Sequence, residues 1–130
     1  MATTNFAYDH PAYLQRYTGG GQTTAGNGTV SNRFAAFTSM RAKAAQVTQI
    51  TAGTTAGHSI TISKLSGTAT TSIGAVTMGT SAIGTTTNVT LANTALAQGD
   101  VLICSNGTDA TGVCAVTYEL VATPGANVTE

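Results

Sequence analysis

The sequence predicts one all-β domain, a β-sandwich of seven or eight short strands that follows an extended N-terminal arm. Val, Ile and Leu occur in short runs separated by β-branched Thr, a pattern typical of strands. Turn signals rich in Gly, Asn and Asp recur at intervals of about ten residues. A chain of 130 residues has room for one hydrophobic core but not for two.

Composition argues against two kinds of partner. Only 8% of the residues are charged and the formal net charge is zero, so neither a polyanion nor an anionic bilayer attracts the chain. No stretch reaches the length of a membrane span, and the first residues lack the basic and apolar regions of a secretory signal. We therefore expect no nucleic-acid partner, no membrane partner, and synthesis in a cytoplasm.

Residues 1–30 are predicted to form an arm that docks on another molecule. Aromatic side chains crowd its first half, and the Gly-rich run over 19–28 is typical of a flexible linker. Ordering this backbone costs more free energy than burying its few apolar side chains returns, which favours docking elsewhere. A tail folded onto its own domain is the alternative. The predicted docking residues are Phe6, Tyr8, Tyr13, Leu14, Arg16 and Tyr17.

The sandwich is predicted over residues 31–123, with a C-terminal tail over 124–130. Residues 33–46 are ambiguous, because the spacing of Phe34 and Phe37 suits one face of a helix as well as a strand. We favour strands there. The segment 59–63 alternates cleanly and places Ile60 and Ile62 on one face.

Later strands are predicted from turns and apolar runs. Gly74, inside an apolar segment over 68–78, indicates a bulge. The turn 97–100 leads into the apolar run 101–104, which is typical of a central strand. The last strand, over 113–121, has Cys114 and three further apolar side chains on one face.

Cys104 and Cys114 flank residues 105–113 almost symmetrically, so a hairpin centred near Asp109 would place them opposite each other. Two interpretations follow. Two reduced, buried thiols are expected in a cytoplasm, and we favour this interpretation. A disulfide that closes after cell lysis is the alternative.

The titratable residues form no pattern that supports catalysis or metal binding. His10 lies in the arm and His58 follows a glycine turn, and neither has a Cys or carboxylate at metal-ligand spacing. No Ser lies in a Gly-x-Ser-x-Gly elbow, and no phosphate-binding Gly motif is present. We therefore expect no enzyme, no cofactor and no metal site, and an exposed or capping role for His58.

Four stretches in this order resemble small structural proteins of tailed-phage virions; they are 57–62, 73–80, 96–102 and 107–113. The resemblance covers roughly residues 33–121 and is to capsid decoration, or cement, proteins. It implies a jelly-roll-like β-sandwich that forms homotrimers on the outer capsid surface of the virion. There the protein would bind the major capsid protein and stabilise contacts between its subunits. The Tyr-rich arm has no counterpart in the family motifs.

A trimeric fibre or receptor-binding tip module of a phage virion is the alternative function. Such a module would expose a groove rich in aromatic or charged side chains at its loops. The loops of this chain consist mainly of Thr, Gly and Ala, which favours the decoration protein.

The small number of charges and the many small apolar residues predict self-association, because little charge repulsion keeps single copies apart. We expect sedimentation equilibrium at micromolar concentration to give a trimer. A species of 13.0 kDa, the mass of one chain, would contradict this prediction.

Overall fold

A computed structural model describes residues 16–23, 30–107 and 111–122, and within these ranges every regular element is a strand. The strands form two antiparallel sheets, which confirms the all-β prediction and is consistent with a β-sandwich. Nine strands are described, against the seven or eight expected. They are β1 (Arg16–Gln22), β2 (Val30–Ala35), β3 (Met40–Thr51), β4 (Ser59–Ser66), β5 (Ala69–Thr77), β6 (Thr86–Asn88), β7 (Ala95–Leu96), β8 (Val101–Gly107) and β9 (Val113–Ala122).

The strand pairing is nested from the ends of the chain inward. β1 pairs with β9, β2 with β8, β3 with the short strands β6 and β7, and β4 with β5. One sheet has the order β1-β9-β3-β6, with β7 also on β3, and the other has the order β2-β8-β4-β5. From the chain ends inward, successive strand pairs therefore alternate between the two sheets.

Alternating burial defines the core between the sheets. Ile60 and Ile62 are buried on β4, as the alternation predicted. On β9 every second residue is buried, and each of the four predicted core residues is among them. These four residues are Cys114, Val116, Tyr118 and Leu120.

The ambiguous segment over 33–46 belongs to strands, which confirms the favoured interpretation. β2 ends at Ala35 and β3 begins at Met40, so a short bend separates them. The Ala36 backbone fixes this bend, because its N–H donates to Asp100 O at 2.8 Å and its carbonyl accepts from Gly99 N at 2.8 Å. A continuous helix over these residues would remove the edge strand β2 from one sheet and the start of the internal strand β3 from the other.

The bulge predicted near Gly74 is present in β5. The register shifts between Ile62 and Ser63 of β4, where Ile62 faces Gly74 and Ser63 faces Ser72, so Ile73 is the extra residue. Gly74 is required by close packing, because a Cβ there would lie 2.9 Å from Thr90 O. The bulge turns Ile73 into the core, where it is 2% exposed.

The prediction of a flexible linker is wrong for residues 19–22, which belong to β1 and pair with β9. Gly19 faces Tyr118 across the strand pair, and a Cβ at Gly19 would lie 2.6 Å from the Tyr118 ring. A Cβ at Gly20 would meet Val116 O. The glycines therefore allow β1 to approach β9 closely, a use that composition alone does not distinguish from a linker. Residues 24–28 of the predicted linker lie outside the described residues.

The predicted hairpin between Cys104 and Cys114 is also wrong. Cys104 lies on β8 and faces Ile62, whereas Cys114 lies on β9 in the other sheet and faces Gln49. The chain crosses from one sheet to the other between them, which symmetric spacing in sequence cannot reveal. Both thiols are free and buried. Burial raises the pKa of Cys104 to about 12 and that of Cys114 to about 11, so both stay protonated and unreactive at neutral pH.

Serine substitutions at the two cysteines should lower the stability of the fold by different amounts. The Cys114 thiol donates to Gln49 Oε1 at 3.4 Å, whereas no hydrogen bond joins the Cys104 thiol to a described residue. Cys104→Ser should therefore lower the free energy of unfolding by about 1–3 kcal/mol, the cost of a buried hydroxyl without a partner. Cys114→Ser should cost less, because Gln49 can accept from the new hydroxyl.

Urea unfolding of both variants, with Cys104→Ala as the matched control, measures these differences. An equal or larger loss in Cys114→Ser would show that Gln49 does not serve as the partner. A large loss of stability on adding a reductant to the native protein would contradict the free thiols.

Candidate interaction surface

Both chain extensions leave the sandwich at the same end. β1 begins at Arg16, which pairs with Val121, and β9 ends at Ala122, which pairs with Met40. We call this the terminal end. It also contains the bend over 36–39 and the turn over 97–100. The opposite, far end contains the loops over 52–58, 78–85 and 107–112.

An aromatic pair lies at the terminal end where the arm begins. The Tyr17 and Phe37 rings meet edge to face, with centroids 5.1 Å apart and planes at 90°. Tyr17 is half-buried against the core, whereas Phe37 is 56% exposed, the largest exposed ring among the described residues. An exposed ring held by an edge-to-face partner is a rigid apolar contact point at the surface.

The predicted docking residues divide into three groups. Phe6, Tyr8, Tyr13 and Leu14 lie outside the described residues, so their docking role stays a prediction. Arg16 starts β1 through its backbone. Tyr17 packs on its own domain, as the alternative of a folded tail expected for this position. Phe37, the partner of Tyr17, was missed because a Phe near a bend gives no sequence signal of exposure.

Charge is concentrated towards the terminal end. All five charged residues whose side chains the structure describes lie between this end and the middle of the strands, and three of the five are positive. The far half of the sandwich has no charged residue in the part of the chain that the structure describes. Asp9, Asp109 and Glu130 lie outside the described residues. The five are Arg41, Lys43, Lys64, Asp100 and Glu119.

Asp100 stabilises the turn over 97–100 at this end. Its carboxylate accepts from Ala97 N at 2.9 Å, and its own N–H donates to Ala97 O at 3.0 Å. The hydrogen bond from Ala97 N lowers the pKa of Asp100, and a hydrogen bond from the Ser66 side chain and the charge of Lys64 act in the same direction. Lys64 itself donates to Ala95 O at 2.9 Å, so both charges belong to the turn.

His58 at the far end is fully buried, so the expectation of an exposed residue is wrong. Its Nε2 lies 2.5 Å from Asn106 Oδ1, and Asn106 Nδ2 donates to Gly112 O at 3.1 Å. Gly112 packs directly on the imidazole, because a Cβ there would clash with Cε1 of the ring. These hydrogen bonds thus join the loops over 52–58 and 107–112. His58 is buried because Gly112, which is distant from it in the sequence, covers its ring.

The far end also exposes two isoleucines. Ile83 is 73% exposed at the tip of a tight turn, closed by a bond from Thr85 N to Ala82 O at 3.1 Å. Gly84 N donates to Gln49 O at 2.8 Å and fixes the turn beside Ile50, which is 38% exposed. Among the described residues the two ends therefore differ in chemistry: the terminal end has charged and aromatic side chains, and the far end exposes aliphatic ones.

No protein-family model matches the chain, and no curated protein sequence matches it either. The resemblance to decoration proteins therefore stays a prediction. Within the described ranges no helix could cross a membrane. The same residues contain no group of three or more His, Cys, Asp or Glu side chains that could hold a metal ion.

Asp100 should make stability depend on pH in the acid range. Because its folded-state pKa lies below the ordinary value of 3.8, its contribution is complete above that value and is lost as the pH falls through the folded pKa. The free energy of unfolding should therefore fall as the pH drops below 3.8. Asp100→Asn should show a shallower fall.

Urea unfolding at several pH values measures how steeply the free energy of unfolding falls with pH. Glu119→Gln is the control, because Glu119 lies outside the turn. Equal slopes in the wild type and Asp100→Asn would show that the turn does not depend on the charge.

Proposed function

We propose that the protein is a decoration protein of a tailed-phage head. It binds the outer surface of the capsid and stabilises contacts between major capsid protein subunits. One observation carries the proposal. β1 begins, β9 ends and Phe37 is exposed at the same end of the sandwich, so the segments before Arg16 and after Ala122 are attached beside an exposed ring. Such a molecule has one face suited to a large partner.

The nested strand pairing supports a jelly-roll assignment. In a jelly roll, a long antiparallel hairpin folds over itself. The first strand then pairs with the last, and successive strand pairs lie in alternate sheets. The orders β1-β9-β3-β6 and β2-β8-β4-β5 follow that scheme when β6 and β7 are counted as one broken strand. Jelly rolls with two such sheets are frequent in viral capsid proteins and in lectin domains.

The length of the arm would allow one copy to contact more than one capsid subunit. Fifteen residues precede Arg16, and an extended chain spans at most about 3.3–3.6 Å per residue, so the arm covers up to about 50 Å. That distance is enough to cross from the subunit under the sandwich to a neighbouring one. Apolar side chains along the arm would then add buried area at the junction between subunits.

Homotrimers and a position on the outside of the virion belong to the same proposal. A receptor-binding tip is less well supported, because it would need aromatic or charged groups at exposed loops. Among the described residues, the far end exposes neither kind of side chain, and Tyr17 and Phe37 lie at the end that carries the chain extensions.

Removal of residues 1–15 tests the proposal. A variant that begins at Arg16 keeps β1, so its circular dichroism and melting temperature should match those of the full chain. Its affinity for capsid shells that lack this protein should fall at least about tenfold, which corresponds to about 1.4 kcal/mol. A cut at Thr29 would instead remove β1 and uncover Tyr118.

A variant without residues 123–130 is the matched control, since that tail leaves from the same end but contains no aromatic residue. It should bind like the full chain. Equal binding by the arm-less variant would exclude the docking role of the arm, and failure of the full chain to bind shells would exclude the decoration function.

A further inference from the structure

We infer that the outer face of the β2-β8-β4-β5 sheet binds the same face of a second copy of this chain. This contact is separate from the terminal end, so the inference goes beyond the proposed function and does not depend on what that end binds. It concerns the side chains of β4, β5 and β8 that point away from the core.

The strand register defines this outer face. On β8 the residues at odd positions point outward, because Leu102, Cys104 and Asn106 between them are buried. Antiparallel pairing aligns the outward residues of β4 with those of β8, and the outward residues of β5 with those of β4. We call these residues the hydroxyl face. They are Val101, Ile103, Ser105 and Gly107 on β8, Ser59, Thr61, Ser63 and Leu65 on β4, and Thr70, Ser72, Ala75 and Thr77 on β5.

The hydroxyl face contains no charged side chain. Outward positions of an antiparallel sheet are commonly polar, and charges among them keep copies of a protein apart. The outer face of the other sheet has such charges, since Arg41 and Lys43 are exposed on β3 and Glu119 points outward from β9. Lys64 is the one charged residue of β4, β5 and β8, and it belongs to the inward row beside Leu102. Charge repulsion therefore does not protect the hydroxyl face.

Apolar and hydroxyl side chains are adjacent on this face. Val101, Ile103 and Leu65 are partly exposed, and none of the three belongs to the side chains that pack on the core. A partner that covers them gains the free energy of apolar burial. Ser and Thr hydroxyls both donate and accept hydrogen bonds, so an identical set of hydroxyls on a partner can satisfy them.

These properties select a second copy as the occupant. A partner with charged groups would bury them against a face that offers no opposite charge, which costs free energy. A contact between two copies related by a two-fold axis requires a surface that complements itself. An uncharged face with hydroxyls that act as donors and acceptors meets this requirement, and two such sheets can pack with their strands nearly aligned.

The size of the face determines the strength of the contact. Strands lie about 4.8 Å apart and rise about 3.3 Å per residue, so four strands and the length of β8 span roughly 19 Å by 23 Å, or about 400 Å² per copy. A pair buries about twice that area, which is typical of weak contacts. We therefore expect pairing well above micromolar concentration. A homotrimer uses a head-to-tail contact, so pairing of hydroxyl faces would double its mass.

The test compares two full-length variants with the same chemical change. Thr61→Lys places a charge on β4 within the hydroxyl face, and Thr117→Lys places it on β9 at an exposed position of the other outer face. Thermal unfolding confirms that each variant is folded. Sedimentation equilibrium over a range of concentrations then gives the mass of each species, and binding to capsid shells is measured in parallel.

We expect the wild type and Thr117→Lys to double in mass as the concentration rises, and Thr61→Lys to associate at least about tenfold more weakly, because like charges would face each other. A mixture of Thr61→Lys and Thr61→Glu should regain the association. The inference is overturned if the wild type does not double in mass, if both lysine variants behave alike, or if the mixture associates no better than its components. It also fails if Thr61→Lys loses only capsid binding, because the capsid would then cover this face. Loss of capsid binding by the arm-less variant alone leaves the inference intact.

Discussion

The antiparallel contact of β9 with β1 on one side and β3 on the other supports the rest of the structure. It seats Tyr118 in the core, against Phe34 of the opposite sheet, with ring centroids 6.0 Å apart. It also joins the two extremities of the described chain, so that the arm and the tail emerge together. The approach of β1 depends on Gly19 and Gly20, because any side chain there would meet Tyr118 or the Val116 carbonyl.

The polar interior at the far end complements this apolar centre. In one sheet, Cys114 is bonded to Gln49 through Gln49 Oε1 and to Thr23 through Thr23 N and Oγ1. In the other sheet, His58, just before β4, is bonded to Asn106 of β8. Buried polar side chains cost free energy unless they are hydrogen-bonded, so these bonds fix loops that have few apolar contacts. One end of the sandwich is thus fixed by internal polar bonds, and the other presents groups to the outside.

The strands could be predicted because their signal is local. Alternation identified Ile60 and Ile62, and the apolar face of β9 was evident from Cys114 to Leu120. The errors have a common cause, since each depends on a partner far away in sequence. The glycines of β1 are explained only by Tyr118, the separation of the cysteines only by the crossing between sheets, and the burial of His58 only by Gly112.

The candidate surface shows the same limit. Aromatic residues in the first part of the sequence indicated an interaction region, yet Phe37 lies beside Tyr17 only because of the bend between β2 and β3. The sequence showed that all five cations lie in its first half but not that Arg41, Lys43 and Lys64 lie towards one end of the folded domain. That grouping results from the nested pairing, which brings the starts of β1 and β3 beside each other across β9.

The nested pairing also has a consequence for the time at which the domain can form during synthesis. β9 fills the centre of its sheet, between β1 and β3, so that sheet cannot close until the last strand has left the ribosome. Contacts between residues about a hundred positions apart make folding slow, because the loop must close before the contacts stabilise it. That sheet therefore closes only after residue 122 has been synthesised, and a chain truncated before residue 113 exposes the open edges of β1 and β3 to aggregation.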